Sequence, residues 1–177
     1  AAYPSWHPDG KHIAFSVDLI NQWFHGVDKR NEVYDRASDI IVYDIEKNTV
    51  TTSPGVSTRN RETLPCWSPD GKYIYYCSAG PLSDSLEWDK VKFSLCRIAY
   101  DVQTNHWGNV DTVITAKEAG GSFSFPRISP DGEWLMFTRA DHGYFTIFYS
   151  TSDLYLLNLK SGKLFPFPYN SNDVESF

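Results

Sequence analysis

One block of sequence occurs three times along this 177-residue chain, and nothing else in it restricts the fold as strongly. Residues 3–16 run Tyr-Pro-Ser-Trp-His-Pro-Asp-Gly-Lys-His-Ile-Ala-Phe-Ser, and residues 64–77 and 125–138 align with them without a gap. The glycines at the centre, Gly10, Gly71 and Gly132, stand 61 residues apart each time. A second landmark follows: Ser38-Asp39-Ile40-Ile41-Val42-Tyr43-Asp44-Ile45 matches Ser152-Asp153-Leu154-Tyr155-Leu156-Leu157-Asn158-Leu159, with a looser middle copy at Ile98–Val102. Asp44, Asp101 and Asn158 are 57 apart, so within each unit one connection lengthens while another shortens.

The block reads as a β-hairpin. Pro presets φ, Asp bonds its own backbone and Gly accepts positive φ, so Pro-Asp-Gly is a turn between two strands, A and B. Asp9, Gly10, Asp70, Gly71, Asp131 and Gly132 are therefore assigned to the turns, not to chemistry. The run after each turn, such as Tyr73-Ile74-Tyr75-Tyr76-Cys77, is apolar at odd and even positions alike. Strands of that kind are covered on both faces. The second landmark is strand C, and Thr49–Thr52, Val110–Thr115 and Lys163–Phe167 are expected as strand D. Four-stranded antiparallel units with two apolar faces are sandwiched between neighbours by radial repetition, as in a β-propeller. The expected architecture is all-β, with blades at about 3–52, 64–115 and 125–168, and with 169–177 entering a further blade. Three blades are fewer than the ~4–8 that close a ring. The remaining blades of its own chain, or a second copy, are expected to complete it.

Composition narrows the function classes. Aromatic residues make up 16% of the chain and apolar residues 41%, which excludes a disordered polymer. A net charge of −6 argues against a surface that tracks nucleic-acid phosphates. No run of ~18 apolar residues is present, so no membrane span is expected. Cys66, Cys77 and Cys96 are too few for a disulfide scaffold. Cys77 and Cys96 fall on neighbouring strands, where they are either a pair or buried free thiols.

The block Pro-x-Trp/Ile-Ser/His-Pro-Asp-Gly-Lys/Glu-x-Ile/Leu-x-Phe/Tyr resembles the WD40-like Pro-Asp repeat of TolB-type propellers, in all three units. The third unit is most similar to a branch of bacterial proteins often labelled as cytochrome c biosynthesis or tetratricopeptide-associated. This chain carries no haem-attachment Cys-x-x-Cys-His. The resemblance implies half of a six-bladed or larger propeller, periplasmic or otherwise exported, that binds other proteins without catalysing a reaction. Similar repeats also occur in the propellers that gate prolyl-oligopeptidase-type peptidases and in propeller lyases, so an enzyme portion is the alternative.

Loop lengths indicate where binding would sit. A–B and C–D turns lie at one end of an antiparallel blade, and B–C and D–A connections at the other. The A–B turns are short and uniform, whereas the B–C connections 17–37, 80–92 and 141–151 are long and unlike one another. Binding groups concentrate on such loops. The candidate residues are Trp23, His25 and Arg30 in the first, Trp88 in the second, His142 and Tyr144 in the third, with Arg59 and Arg61 just before the second A strand. Trp23 and Phe24 are either partner contacts or a cover for the blade edge. A protein partner is expected, with a glycan as the other option. No cofactor or metal is expected: the five histidines show no His-x-x-x-His spacing, and His7 and His12 are read as structural. No Gly-x-Ser-x-Gly elbow is present either.

Overall fold

The computed structural model describes residues 1–18, 23–27, 30–81 and 85–170, with positions 23–27, 30–34, 85, 86, 88 and 148 described by backbone alone. The first unit contains β1 (Ala2–Trp6), β2 (His12–Asp18), a hairpin of β3 (Trp23–Val27) and β4 (Arg30–Tyr34), then β5 (Ser38–Asp44) and β6 (Thr49–Thr51). The second contains β7 (Arg61–Trp67), β8 (Tyr73–Ala79), β9 (Ser94–Asp101) and β10 (His106–Ile114). The third contains β11 (Ser122–Ile128), β12 (Trp134–Ala140), β13 (Asp153–Asn158) and β14 (Leu164–Pro166). Each unit is an antiparallel meander of four strands, a propeller blade. A single parallel pair, Ser38 with Arg61, links the first blade to the second.

Two departures from the expected strands have local causes. The connection 17–37, read as a loop, holds the β3–β4 hairpin, whose Trp23, Phe24, Val27, Val33 and Tyr34 are strand-forming residues. The second D strand starts at His106 and ends at Ile114, earlier than the expected Val110–Thr115, because pairing with β9 continues through two bulges.

The turns repeat atom by atom. Gly10, Gly71 and Gly132 donate their amides to the carbonyls of His7, Ser68 and Ser129 at 2.8–3.0 Å. Asp9, Asp70 and Asp131 each accept from the amide two residues on, at 2.8, 3.1 and 3.0 Å. Asn48, Asn105 and Gly162, again 57 apart, take the left-handed position of the C–D turns. A third recurrence was not visible in the pattern. Tyr3, Leu64 and Phe125, each before a proline, have φ of 56°, 56° and 51° at the bulge in each A strand. A left-handed side-chain-bearing residue costs about 1–2 kcal/mol. Here that cost turns Leu64 and Phe125 into the core, where they are 2% and 9% exposed.

The core fills the gaps between blades. Between the first and second lie Ala14, Ile40, Val42, Trp67, Ile74, Tyr76 and Ile98. Between the second and third lie Leu64, Tyr75, Cys77, Leu95, Phe123, Leu135 and Phe137. Residues 74 and 75 of β8 thus serve opposite cores, which is why that strand is apolar at both parities. The same alternation separates the cysteines. Cys77 pairs with Leu95 and Cys96 with Tyr76, so the two thiols belong to different interfaces, and all three cysteines are free and buried. Complete burial pushes the Cys77 thiol well above its ordinary range.

One turn departs from its copies. Ser68 and Ser129 close their own turns, donating to Asp70 and Asp131 and accepting the amides of Tyr73 and Trp134. His7, in the same column, instead reaches the next blade. Its Nε2 donates to the Gly71 carbonyl at 3.1 Å, and its ring meets Trp67 edge-on at 4.7 Å. A Cβ on Gly71 would stand 2.3 Å from that nitrogen, whereas one on Gly10 would meet nothing within 4 Å. Both glycines have positive φ. Gly10→Ala is therefore expected to cost about 1–2 kcal/mol in urea denaturation, through backbone strain alone. Gly71→Ala should cost about 1–3 kcal/mol more, because it also displaces a buried hydrogen-bonding ring. The double variant Gly71→Ala/His7→Ser should recover that excess.

Candidate functional site

The B–C connections of all three blades meet at one end of the stack, and the residues that join them are buried. Asp35, at the foot of the inserted hairpin, is 1% exposed and accepts the Tyr144 hydroxyl at 2.5 Å across two blades. Tyr144 packs edge-on against Phe93 at 5.3 Å and Tyr3 at 6.2 Å. Burial, and then the neighbouring Asp35, pushes the Tyr144 phenol far above its ordinary range, so it remains a donor. Gly143 donates its amide to Val91 at 2.8 Å and pairs in parallel with Lys92. The Gly143 carbonyl accepts from Ser122 Oγ, which in turn receives the Phe93 amide at 2.9 Å.

Arg61 completes this frame from the D–A side. It starts β7 at 3% exposure, donates from Nε and Nη2 to the Gly80 carbonyl at 3.1 and 2.5 Å, and lies 5.4 Å over the Phe93 ring. Burial pulls its pKa down to about 10, while Tyr144 and Asp35 act in the opposite direction. The guanidinium stays charged, and its cation–π contact, worth ~2 kcal/mol when desolvated, helps to offset burial. Two acids lie beside the frame. Asp18, at the end of β2, shares a hydrogen bond with Asp35, and burial raises its pKa. Glu62, next to Arg61, is 1% exposed, accepts from Thr58 Oγ1 at 2.6 Å, and has its second oxygen buried with no partner among the described residues.

The predicted residues therefore separate into two groups. Arg61 and Tyr144, expected as partner contacts, are frame residues: their polar atoms are committed inside the protein. Arg59 is exposed beyond a Thr58-capped turn in which the Asn60 amide donates to Thr58 Oγ1 at 2.9 Å. His142 is half-buried, with its ring 4.7 Å from that of Tyr149. The side chains of Trp23, His25, Arg30 and Trp88 lie outside the described residues; the backbones of the first three belong to the β3–β4 hairpin, and that of Trp88 to a 3-10 turn at Ser85–Lys90. A cleft of about 240 Å³ opens beside Arg61, lined by Gly80, Pro81, Glu87, Lys90 and Lys92. Asp18 and Asp35, on either side of the inserted hairpin, and Glu62, directly after Arg61, belong to this end without being among the candidate residues.

The opposite end, built of short turns, carries larger grooves between neighbouring turns. One of about 470 Å³ runs between the Pro69-Asp70 and Pro130-Asp131 turns, and one of about 490 Å³ lies beside His7 and Tyr100. Among the described residues, the only cluster of potential metal ligands is also there: His7, Asp9 and His12. Among the described residues, no helix is long and apolar enough to cross a membrane.

No family model and no curated protein matches this chain. Solved structures do. A protein from Agrobacterium tumefaciens assigned as TolB superposes with a TM-score of 0.57 at 20% identity, over 92% of this chain and 47% of that one. A luciferin-regenerating enzyme superposes at 0.59 and 14% identity, over 93% of this chain and 45% of that one. A Mycobacterium tuberculosis puromycin-hydrolyzing peptidase superposes at 0.51 and 13% identity, over 87% of this chain and 23% of that one. At such identities the likeness is one of fold, and the chain spans about half the length of the first two.

The buried acid gives a test of the frame. Burial raises the Glu62 carboxyl above its ordinary pKa, against the hydrogen bonds from Thr58. A raised folded-state pKa favours the folded protein at acid pH and loses that contribution as pH climbs through the folded value. Glu62→Gln keeps the acceptor for Thr58 and removes the buried charge. It should raise stability at pH 7 by roughly 1 kcal/mol, with the gain vanishing below the ordinary glutamate range. Thermal melts from pH 4 to 8 would measure it. Tyr144→Phe, which takes the donor from buried Asp35, should instead cost about 1–3 kcal/mol.

Proposed function

We propose that this chain is part of a non-enzymatic, TolB-like propeller that holds a protein partner through the end built by its long connections, with a glycan as the other ligand class. The observation that carries the reading is the frame itself. Asp35 and Tyr144, from the first and third B–C connections, and Phe93, directly after the second, meet in a single buried network with Arg61. Rigid support beneath variable segments is how scaffolds present binding groups. The contact residues are then those outside the network: Trp23, His25 and Arg30 on the inserted hairpin, Arg59, Trp88 and His142.

The outer faces of the first and third blades carry half-buried Phe15, Ile41 and Tyr43, and Trp134, Met136 and Leu156. They support completion of the ring by further blades of the same chain or by a second copy. An exported, periplasmic setting follows from the resemblance to TolB-type propellers.

The other reading, that these blades are the propeller portion of an enzyme, draws on the fold likeness to the peptidase and the luciferin-regenerating enzyme. Crosslinking of the purified chain in native extract, with glycan-array binding in parallel, distinguishes the readings. Trp23→Ala/Arg59→Ala is expected to lower capture of the crosslinked partner by about tenfold or more while leaving the melting temperature unchanged. Capture that survives the double substitution would remove the rim as the binding surface.

A further inference from the structure

We propose that a cavity between the first two blades is a binding site for a primary ammonium group on an alkyl stem, with Glu62 as its counterion. The cavity measures about 350 Å³, at the small end of ligand sites, and lies at the end of the long connections. Strand register explains its floor. Glu62 stands opposite Ser78 and Ser78 opposite Ser94; two residues along, Tyr76 stands opposite Cys96 and Cys96 opposite Thr112. Period two puts both rows on one face of the second blade, the face that meets the first. The fourth strand of the first blade, β6, has only three residues, and Gly55, Thr58 and Asn60 of the connection after it close the cavity.

The wall offers a single negative group. Glu62 is 1% exposed, its Oε1 accepts from Thr58 at 2.6 Å, and its Oε2 is buried with no hydrogen-bond partner among the described residues. Burial raises the Tyr76 phenol and the Cys96 thiol above their ordinary ranges, so both stay neutral. Among the described residues, no lysine, arginine or histidine lines the cavity. A buried carboxylate oxygen without a donor is costly. Burial, and the like charge of Asp39, push the Glu62 carboxyl up, and a cation entering the cavity opposes both effects. The repeat itself does not demand an acid here. Phe123 occupies the same column of the third blade, 61 residues on, and is completely buried as part of the core.

The kind of cation follows from the donors it must bring. A guanidinium pairs best with both oxygens of a carboxylate, and Thr58 already occupies one of them. A quaternary ammonium is held by a cage of aromatic rings, whereas Tyr76 is the one aromatic residue of this wall. Calcium and magnesium take several oxygen ligands, commonly from more than one carboxylate. A primary ammonium is a compact charge with three donors. One donor satisfies Glu62 Oε2, and the hydroxyls of Ser78 and Thr112 are acceptors of the right kind for the others. Val110 and Ala79 supply apolar surface for the stem.

The simplest probe is n-butylammonium chloride, titrated into the full chain and followed by amide NMR shifts. It should move the residues of β7, β8 and β9 around the cavity saturably, in the millimolar range expected of so small a ligand. Neither n-butanol, which has the same stem without the charge, nor butyrate, which reverses the charge, should do so. Glu62→Gln, expected above to fold at least as stably, should weaken binding about tenfold or more. Glu62→Phe, which borrows the residue of the third blade, should abolish it. A peptide with one lysine between glycines separates two sources of the same chemistry. Displacement of n-butylammonium by the peptide assigns the site to a lysine side chain of a protein, and failure to displace it assigns the site to a free alkylamine. The site would be overturned by the absence of a saturable shift, by an equal response to n-butanol, or by unchanged affinity in Glu62→Gln.

Discussion

Burial of one blade against the next is the interaction on which the rest of this structure depends. A four-stranded sheet of some forty to fifty residues has too little thickness for a core of its own, and apolar area removed from water is worth about 25 cal/mol per Å². The second blade shows the arrangement in full. Ile74, Tyr76 and Ile98 face the first blade, while Tyr75, Cys77 and Leu95 face the third. The first and third blades have this cover on one side only, and β2 accordingly alternates buried and half-buried positions. Strain recurs in step with the packing: the left-handed residue before each proline is tolerated because it aims Leu64 and Phe125 into the interface.

The polar interior is concentrated at the end with long connections. Leaving a buried charge unpaired costs several kcal/mol, so a desolvated Arg61 needs the Gly80 carbonyl and the Phe93 ring, and a buried Asp35 needs the Tyr144 hydroxyl. These requirements tie segments distant in sequence into one arrangement. They also explain why Arg61 and Tyr144, two of the residues expected on the rim, are poorly placed to touch a partner. The atoms that would do so are already used.

The short-turn end shows how a repeat acquires an individual feature. Ser68 and Ser129 satisfy their turns locally and leave the neighbouring blade alone. Replacing serine by histidine in the first copy gives a side chain long enough to cross to Gly71, where a glycine leaves just enough room. Asp9, which elsewhere has only a turn to close, then stands between two imidazoles. The repeat made His7 look like a turn residue, which it is; its second set of contacts belongs to the gap between blades.

Much of the fold was legible in the sequence because turn chemistry and period-two burial are local. Pro-Asp-Gly dictates a hairpin wherever it occurs, and strands apolar at both parities require two neighbours. The strand ends were less legible, since β10 extends by bulged pairing and the inserted hairpin lies in a segment outside the repeated landmarks. The site was legible only in outline. Loop length indicated the end of each blade where the long connections gather, but Arg61 looks like any charged loop residue until Gly80 and Phe93 close over it, and Asp35 and Tyr144 are separated by more than a hundred residues. Hydrogen bonds between blades depend on how sheets stack, and the spacing of residues along the chain does not encode that distance. The sequence determined the blades; tertiary packing decided which polar groups were buried and which two histidines met around one carboxylate.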